Sequence, residues 1–344
     1  MNKNSKKAKS ERYHLNTDGS FVINDYNHSQ AFSNFFKEEF SDYEFIGADA
    51  FKTSPAAYIL DRVYEVPLKI DEHYVDEVIE VCRKERPEFV IPLLDPELPL
   101  FAKNKKRFEE IGVQVWVPDY DVVELSNDKY LTYTRFKNSG IDLPETWRLN
   151  DFFNDEDSLE YVQYILKPAT GSSSKGIHKV HLEVLKPMII RFGLNPDAYL
   201  VQKYIDFDFE VTVDLFGDGN GNVVEYCQRK RISTRGGEVE KGITVNLPKV
   251  TELVRKVVGD LKILGVVNIQ VMVKNDKVYL GEINPRFGGG YPLAHKAGAN
   301  LIQHIKSYMN KIPYENIGDS RYKEDFYMLR YDKAVYTDKL LDLV

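Results

Sequence analysis

Short apolar runs alternate with amphipathic stretches over roughly the first third of the chain, and this alternation limits the possible folds more than any other feature of the sequence. YVDEVIEVCRKE, at 74–85, repeats its apolar residues every three or four positions and predicts a half-buried helix. FVIPLL, at 89–94, is a continuous apolar run typical of a buried parallel strand. Similar patterns predict strands at 21–24, 43–48 and 113–117 and helices at 31–40 and 101–112. The sequence therefore predicts an open parallel α/β domain over residues 20–120.

The pattern changes after DLPETW at 142–147, where predicted strands follow one another at short spacing. They lie at 164–168, 177–181, 198–204, 209–217, 222–233, 266–273 and 277–283. GDGNG at 217–221 and KND at 274–276 predict the turns of two hairpins. Helices are predicted at 248–265 and 292–311, and a strand that returns to the body at 326–336. The second part of the chain is therefore expected to form antiparallel sheets with flanking helices.

A helix is predicted between the two patterns by SNDKYLTYTRFKNSG at 126–140. Ser126 or Asn127 is expected as its N-cap, because both residue types satisfy the first backbone N–H groups of a helix. Gly140 lies past its expected end, where a left-handed residue is common.

Composition excludes several classes of protein. The net charge of −7 disfavours a general nucleic-acid binder. The two cysteines, Cys82 and Cys227, are far apart in sequence and suit a reducing compartment. No apolar run reaches the ~20 residues needed to cross a bilayer, and the basic N-terminal segment predicts a disordered tail over residues 1–19 rather than a secretory signal. We therefore expect a cytoplasmic protein that binds neither membranes nor nucleic acid.

GEINPRFGGG at 281–290 is the stretch that points most directly to chemistry. Side chains alternate along a strand, so Glu282 and Asn284 share a face, and Gln270 on the preceding strand can lie across from them. One carboxylate and two amide oxygens suit Mg²⁺ that takes the rest of its ligands from water and phosphates. Arg286 can grip phosphate with its fork, and the glycines at 288–290 let backbone approach a ligand. A lone E-x-N would indicate an ordinary strand end, but the whole string favours a site.

Two other segments carry weaker signals. KPATGSSSKGI at 167–177 offers Lys167 and a run of small residues whose N–H groups and hydroxyls could bind phosphate, with a solvated Gly/Ser loop as the alternative. VQKYIDFDFE at 201–210 has an extended linker whose backbone could pair with adenine, and Glu210 could accept the ribose hydroxyls. The alternative for the acidic residues of this second segment is a solvated turn.

These three elements, in this order, resemble the ATP-grasp superfamily, and in particular its carboxylate–amine ligases related to carbamoyl phosphate synthase. N-x-Q followed by GEINPRFGGG is the most specific part of a resemblance that spans roughly residues 20–320. It implies an α/β plus α+β protein, in which an N-terminal open parallel α/β (pre-ATP-grasp) domain precedes a two-lobed ATP-grasp domain with antiparallel sheets. The implied boundaries are a pre-ATP-grasp domain at 20–120, a first lobe at 121–200, a second lobe at 201–320 and a C-terminal segment at 321–344 that returns to the body.

The resemblance also implies a role for each motif residue. Lys129 and Lys167 would reach the nucleotide phosphates, and Arg286 would stabilise the transferring phosphoryl group. The implied ATP ligands are further Gly171, Ser172, Ser173, Ser174 and Gly176 in the phosphate loop, Gln202, Lys203 and Ile205 at adenine, and Glu210 at ribose. The implied Mg²⁺ ligands are Gln270, Glu282 and Asn284. Arg231 and Arg235 would face the acceptor, with a charged edge strand as the alternative.

The sequence departs from the family pattern at two places. Gln202 stands where the adenine linker usually begins with an acidic residue, and in FVINDYNHSQ the first strand, FVIN, is followed by DYNHSQ instead of the glycine-rich turn that relatives often have. The second departure lies in the N-terminal domain, which the resemblance implies contributes to the acceptor side, so it concerns the acceptor and not the ATP site. DPELP at 95–99 follows a predicted parallel strand, where open α/β sheets place their ligands.

The implied activity is an ATP-dependent ligation of a small-molecule carboxylate to an amine, through an acylphosphate, with release of ADP and phosphate. Two alternatives remain open: a nucleotide-binding protein without ligase activity, and a kinase on the same fold that phosphorylates a small molecule. A homodimer is the expectation from base rates alone.

Overall fold

A parallel sheet of five strands forms the N-terminal part of the chain, in the order β3-β2-β1-β4-β5. The computed structural model describes residues 19–24, 30–152, 163–171, 176–235, 237–314, 321–331, 334–340 and 342. The strands are β1 (Gly19–Asn24), β2 (Tyr43–Asp49), β3 (Arg62–Glu65), β4 (Phe89–Pro92) and β5 (Gln114–Val115). The predicted open α/β architecture is confirmed. Strand β3 was not predicted, because its apolar core of two residues between Arg62 and Glu65 is too short to give a pattern.

Helices cover both faces of this sheet. They are α1 (Gln30–Glu39), α2 (Glu72–Glu85) and α3 (Leu98–Glu109). Successive strand residues point to opposite faces, so Phe45 packs in the core that contains α1, whereas Ile46 packs in the core that contains α2 and α3. Residues of β4 pack alternately into these two hydrophobic cores, which fix the strand in place. The DPELP segment follows the carboxyl end of β4.

The helix predicted at 126–140 corresponds to α5 (Lys129–Phe136), and a separate helix that was not predicted, α4 (Tyr120–Asn127), ends just before it. The predicted N-cap at Ser126 or Asn127 was wrong. Asp128 is the N-cap, and its carboxylate accepts from the N–H groups of Tyr130 at 2.7 Å and Leu131 at 3.2 Å. Ser126 instead donates to the Val122 carbonyl within α4 at 2.7 Å. Lys129 is consequently the first residue of α5.

A four-stranded antiparallel sheet follows, in the order β6-β9-β7-β8. Its elements are β6 (Thr146–Arg148), α6 (Leu149–Phe152), β7 (Gln163–Pro168), β8 (His178–His181), α7 (Leu182–Phe192) and β9 (Tyr199–Lys203). The sheet has its own small core, which includes Phe152, Leu166 and Val201. Lys167 lies near the end of β7, and Gln202 lies near the end of β9.

The third sheet has six antiparallel strands, in the order β14-β13-β10-β11-β12-β15. Its strands are β10 (Phe209–Asp218), β11 (Val223–Arg235), β12 (Glu238–Val245), β13 (Leu264–Lys274), β14 (Lys277–Asn284) and β15 (Tyr327–Leu329). Both predicted hairpins are confirmed, as is the returning strand, which pairs with β12. Asn275 and Asp276 have φ of 46° and 66°, as a two-residue hairpin turn requires.

The helices described after β12 are α8 (Pro248–Leu261), which precedes β13, and α9 (Tyr291–Lys296) and α10 (Leu301–Met309), which follow β14. The single helix predicted at 292–311 was wrong, because the chain breaks at Gly298, whose φ is 110°. Phe287, Tyr291 and Ile302 share one buried cluster with Phe32 and Phe36 of α1, so this segment packs against the N-terminal domain. No helix in the described ranges is both long and apolar enough to cross a bilayer. The predicted tail at 1–19 lies outside the described residues but for Gly19, and the domain boundaries remain predictions.

Candidate active site

Glu282 and Asn284 of the GEINPRFGGG motif lie on β14, and the pairing of β14 with β13 determines which side chains lie opposite them. Gln270 pairs with Glu282 across β13 and β14, and Asn268 pairs with Asn284 one step further along. The predicted position of Gln270 opposite Glu282 is therefore confirmed. Asn284 is buried and donates its amide nitrogen to Asn268 Oδ1 at 3.2 Å. Glu282, Gln270 and Asn284 thus present one carboxylate and two amides from neighbouring positions.

Lys129, the first residue of α5, lies beside this carboxylate. Its Nζ lies 3.2 Å from Glu282 Oε1 and donates to the Gly171 carbonyl at 2.8 Å. Its backbone N–H donates to the Ala169 carbonyl at 3.0 Å, so α5 and the start of the small-residue loop are tied together. One lysine therefore joins the loop after β7 to the end of β14.

Lys167 is buried behind this contact. Its Nζ donates to Gln202 Oε1 at 2.9 Å, and Gln202 Nε2 donates to Thr146 Oγ1 at 2.8 Å. Burial, reinforced by the charge of Lys129, lowers the pKa of Lys167 to about 8, and Glu282 offsets part of this effect. The neutral amide of Gln202 provides a hydrogen bond but no compensating charge.

Arg286 is held by a carboxylate of the N-terminal domain. Its Nη2 lies 2.7 Å from Asp95 Oδ2, its Nε bonds to Asp95 Oδ1, and its Nη1 donates to the Phe287 carbonyl at 2.8 Å. Asp95 belongs to the DPELP segment, which sequence reasoning placed at a ligand-binding edge. The structure thus brings the predicted edge of the parallel sheet and the predicted phosphate arginine into one cleft.

The two arginines predicted to face an acceptor are separated. Arg231 lies in the cleft, where its Nη1 is 3.4 Å from Glu210 Oε2 and 3.5 Å from Gln270 Oε1. Its Nη2 donates to the Gly237 carbonyl at 3.0 Å. Arg235 lies further along β11, is mostly exposed and has its Nε 3.8 Å from Glu240 Oε1. Of this pair, only Arg231 lines the cleft within the described residues.

The structure describes the predicted adenine linker and part of the small-residue loop. In the linker, Lys203 N–H donates to the Glu145 carbonyl at 2.8 Å, and the Ile205 carbonyl accepts from Phe207 N–H at 3.0 Å. Gly171 and Gly176 have φ of 117° and 72°, so both ends of the small-residue loop use conformations that favour glycine. Ser172, Ser173 and Ser174 lie outside the described residues.

A buried ion pair lies beneath the glycine run, and sequence reasoning missed it. Arg229 Nη2 lies 3.0 Å from Asp214 Oδ1, and Nε bonds to the other oxygen. A Cβ at Gly290 would lie 2.1 Å from Arg229 Nη1, and one at Gly288 would lie 2.9 Å from Asp214 Oδ1. These two glycines therefore make room for the ion pair, whereas the sequence suggested room for a ligand. The missed signal was an aspartate in the middle of the apolar strand EVTVDLFG.

Replacing Gly290 with alanine tests this reading of the glycines. Gly290 has a φ of −94°, so the expected cost is steric, and Arg229 cannot move without breaking its bonds to Asp214. We expect Gly290→Ala to lower the free energy of unfolding by about 1–3 kcal/mol in chemical denaturation. Gly259→Ala, in α8, is the matched control, because a Cβ there would lie 3.7 Å from the Gly221 carbonyl, an ordinary van der Waals contact. Equal stability of the two variants would contradict the packing argument.

Two adjoining cavities connect these groups. One has an empty volume of about 550 Å³ and is lined by Asp95, Arg231, Gln270, Glu282 and Arg286, among others. The other, of about 310 Å³, shares Asp95 and Glu282 with the first and is also lined by Lys129. Among the described residues, no group of three or more His, Cys, Asp or Glu could hold a metal ion. A cation here would need amide oxygens and ligand oxygens beside Glu282.

Comparisons with known families match both parts of the chain. Residues 27–116 match the model of the PylC-like N-terminal domain. Residues 126–290 match the model of the ATP-grasp domain. The second match contains all the site residues named above except Asp95, which lies within the first.

Individual relatives are distant. The carbamoyl phosphate synthase large chain of Pseudothermotoga lettingae is 22% identical over 277 residues, which cover 76% of this chain and 24% of the relative. The chain thus spans about a quarter of the length of that relative. The formate-dependent phosphoribosylglycinamide formyltransferase of Nitratiruptor sp. is 22% identical over 254 residues, covering 71% of this chain and 63% of the relative.

Solved structures show the same fold. Biotin carboxylase of Campylobacter jejuni, in complex with beta-gamma-ATP, has a TM-score of 0.71 at 15% identity and covers 90% of this chain and 74% of its own. N5-carboxyaminoimidazole synthetase of Staphylococcus aureus, in complex with ADP, has a TM-score of 0.66 at 14% identity and covers 92% of this chain and 95% of its own.

Proposed function

The chain belongs to the ATP-grasp superfamily, and from this premise we propose that it is an ATP-dependent ligase that joins a small-molecule carboxylate to an amine. One observation carries the proposal: Lys129 and Glu282, from distant segments, meet at 3.2 Å in a cleft that also contains Arg286. The nucleotide complexes among the similar solved structures support ATP as the nucleotide.

Lys129 and Lys167 are the proposed ligands of the nucleotide phosphates. Lys129 Nζ already contacts the carbonyl at Gly171, so a phosphate there would replace a backbone oxygen with a charged one. Lys167 lies deeper, with its Nζ on Gln202, at the start of the proposed adenine linker formed by Gln202, Lys203 and Ile205. Glu210, beside Arg231, is the proposed acceptor of the ribose hydroxyls.

The donor set around Glu282 fits Mg²⁺, a hard cation that prefers oxygen ligands and keeps part of its shell for water and phosphate. Glu282 would supply a carboxylate oxygen, and Gln270 and Asn284 would supply amide oxygens. Bound there, Mg²⁺ would neutralise phosphate charge and hold the phosphates in place.

In the proposed first step, a carboxylate oxygen of the substrate bonds to the γ-phosphorus of ATP, and the bond from that phosphorus to the β–γ bridging oxygen breaks. The products are an acylphosphate and ADP. In the second step, the amine nitrogen attacks the acyl carbon, phosphate leaves with the electrons of the carbon–oxygen bond, and the nitrogen loses a proton to give an amide. Arg286 would face the charge that develops on the transferring phosphoryl group.

This sequence of steps needs no covalent intermediate with the protein. It depends on positioning and on neutralising charge, which a set of Lys, Arg, Glu, Asn and Gln side chains can provide. Neither cysteine is suited to act as a nucleophile, because burial raises the pKa of Cys82 to about 12 and that of Cys227 well above its ordinary value.

Product formation from MgATP tests the proposal against its two alternatives. Purified protein is supplied with a panel of carboxylates and amines, singly and in pairs, and ADP, free phosphate and organic products are measured. A ligase releases ADP and phosphate only with both substrates and forms an amide. A phosphorylated product without free phosphate would indicate a kinase, and ATP binding without any release across the panel would favour a binding protein.

The lowered pKa of Lys167 predicts a pH dependence of nucleotide binding. Its charge is present below pH 8 and lost above it, and phosphate binds the charged form. We therefore expect the Kd for MgATP to rise about tenfold from pH 7 to pH 9. In the ligand-free protein, the unfolded chain binds more protons between pH 8 and 10.5, so Lys167 adds stability as the pH rises through that window.

Gln202→Glu is the matched test, because it places a carboxylate beside Lys167 Nζ and raises its pKa. In that variant we expect the Kd for MgATP to change less than about twofold over the same pH range. Calorimetric titration at saturating Mg²⁺ measures both proteins. A wild-type Kd that is independent of pH, or an equal dependence in the variant, would contradict the assignment of Lys167.

A further inference from the structure

The bond between Asp95 and Arg286 joins the N-terminal domain to the end of β14. The two residues are 191 positions apart, yet two parallel hydrogen bonds connect their side chains. Both side chains are mostly buried, with 20% and 14% of their surface exposed. Both line the larger cavity, so this is an ion pair inside the proposed active site and not a bridge at its outer surface.

The segment that carries Asp95 is itself fixed. Glu97 is fully buried, and its Oε1 accepts from the N–H groups of Leu93 at 2.8 Å and Leu94 at 3.0 Å. Tyr74 of α2 donates its hydroxyl to the other oxygen of Glu97 at 2.7 Å. One oxygen of the Glu97 carboxylate therefore holds the backbone just before Asp95, and the other bonds to α2, so the position of Asp95 is fixed by the core of the parallel sheet.

The backbone of Arg286 is also fixed, but its side chain is long. Arg286 N–H donates to the Asn284 carbonyl at 2.8 Å, and the Arg286 carbonyl accepts from Asn268 Nδ2 at 3.2 Å. The next residue, Phe287, packs on Phe32 of α1 with ring centroids 4.9 Å apart. These contacts fix the backbone of Arg286. Its planar guanidinium lies at the end of a flexible side chain, and a bidentate partner is needed to fix its orientation.

We propose that Asp95 is a positioning residue for Arg286, so that the N-terminal domain sets the orientation of the guanidinium that faces the transferring phosphoryl group. The inference rests on the proposed function. It assigns the N-terminal domain, which carries Asp95, a part in phosphoryl transfer. The carboxylate acts through Arg286 and does not itself contact the reacting atoms.

Asp95→Asn tests the inference, because it keeps the size of the side chain and removes its charge and one acceptor oxygen. We expect kcat for ADP release to fall about 10²-fold, with the KM for ATP changed less than threefold, since a displaced guanidinium loses orientation more than affinity. Asp95→Glu keeps the charge but moves it by one methylene, and we expect it to remain impaired. Asp260→Asn is the control, since Asp260 makes an equivalent bidentate pair with Arg135 away from the cleft.

A purely structural role predicts a different result. Asp95→Asn would then lower the melting temperature, leave kcat of the folded protein within threefold of wild type, and be rescued by Asp95→Glu; that outcome would overturn the inference. Higher ATP affinity in Asp95→Asn with kcat unchanged or raised would also overturn it, because Asp95 would then be blocking Arg286.

A readout independent of activity separates this inference from the proposed function. The Nε–H resonance of Arg286, assigned by its loss in Arg286→Lys, reports directly on the bond to Asp95. We expect slow exchange with water in the wild type and in Asp260→Asn and fast exchange in Asp95→Asn. Unchanged exchange in Asp95→Asn would overturn the inference. A wild-type protein that shows protected Nε–H but no substrate-dependent ADP release would instead contradict the proposed function.

Discussion

Replacing Glu282 with alanine is expected to lower ADP release by at least about 10²-fold, because Glu282 is the one carboxylate among the three proposed Mg²⁺ ligands. Gln270 and Asn284 would remain, but both are neutral. The variant also deprives Lys129 of the carboxylate that lies 3.2 Å from its Nζ. Steady-state ADP release at saturating ATP and substrates measures the effect.

The lower rate of ADP release in Glu282→Ala should result from the altered site and not from unfolding of the protein. The Glu282 side chain is 27% exposed, and it lies at the cleft and not in the apolar cluster behind β14. Thermal unfolding is therefore expected to change by only a few degrees. Glu252→Ala is the control, since Glu252 lies on α8 in an exposed pair with Lys256. Turnover in Glu282→Ala equal to that of the control would contradict the metal assignment.

Replacing Arg286 with lysine is the second change with a large expected effect. Lysine keeps the charge but loses the fork that bonds both oxygens of Asp95 and the Phe287 carbonyl. We expect kcat to fall by about 10²- to 10³-fold, because the group that stabilises the transferring phosphoryl would lose both its orientation and its planar donor set.

Arg135→Lys is the matched control for this variant. Arg135 makes the same bidentate contact with Asp260, at 2.7 and 3.0 Å, on a surface between α5 and α8. We expect kcat of Arg135→Lys to stay within threefold of the wild type. Single-turnover kinetics separate phosphoryl transfer from product release in both proteins. Comparable rates for Arg286→Lys and the control would show that Arg286 does not face the transferring group.

The parts of the site that could be predicted are those set by local sequence. The hairpin of β13 and β14 was predictable from its turn at Asn275 and Asp276, but that turn alone would pair Gln270 with Gly281. The observed pairing of Gln270 with Glu282 also depends on an irregularity between Gln270 and Val271, at which Gly281 is the extra residue. The open parallel sheet was predictable because buried parallel strands and amphipathic helices have distinct apolar periods.

The parts that could not be predicted depend on contacts between distant segments. Asp95 and Arg286 are 191 residues apart, and no local pattern indicates that they pair. The buried pair of Asp214 and Arg229 could not be predicted either. The sequence around Arg229 is typical of a charged edge strand, and only the strand order shows that its strand lies in the middle of a sheet. The helix start at Asp128 was missed because three consecutive residues, Ser126 to Asp128, are all good caps and only the end of α4 decides among them.

Transfer of oxygen from the carboxylate substrate to phosphate is the most direct test of the central proposal. A carboxylate that supports ADP release is labelled with ¹⁸O in both oxygens, and the phosphate released during amide formation is examined by mass spectrometry. An acylphosphate route predicts one ¹⁸O atom in each phosphate, because the bond that breaks in the second step lies between the acyl carbon and that oxygen. Phosphate that contains no ¹⁸O would mean that ATP is hydrolysed by water, and the ligase mechanism would be contradicted.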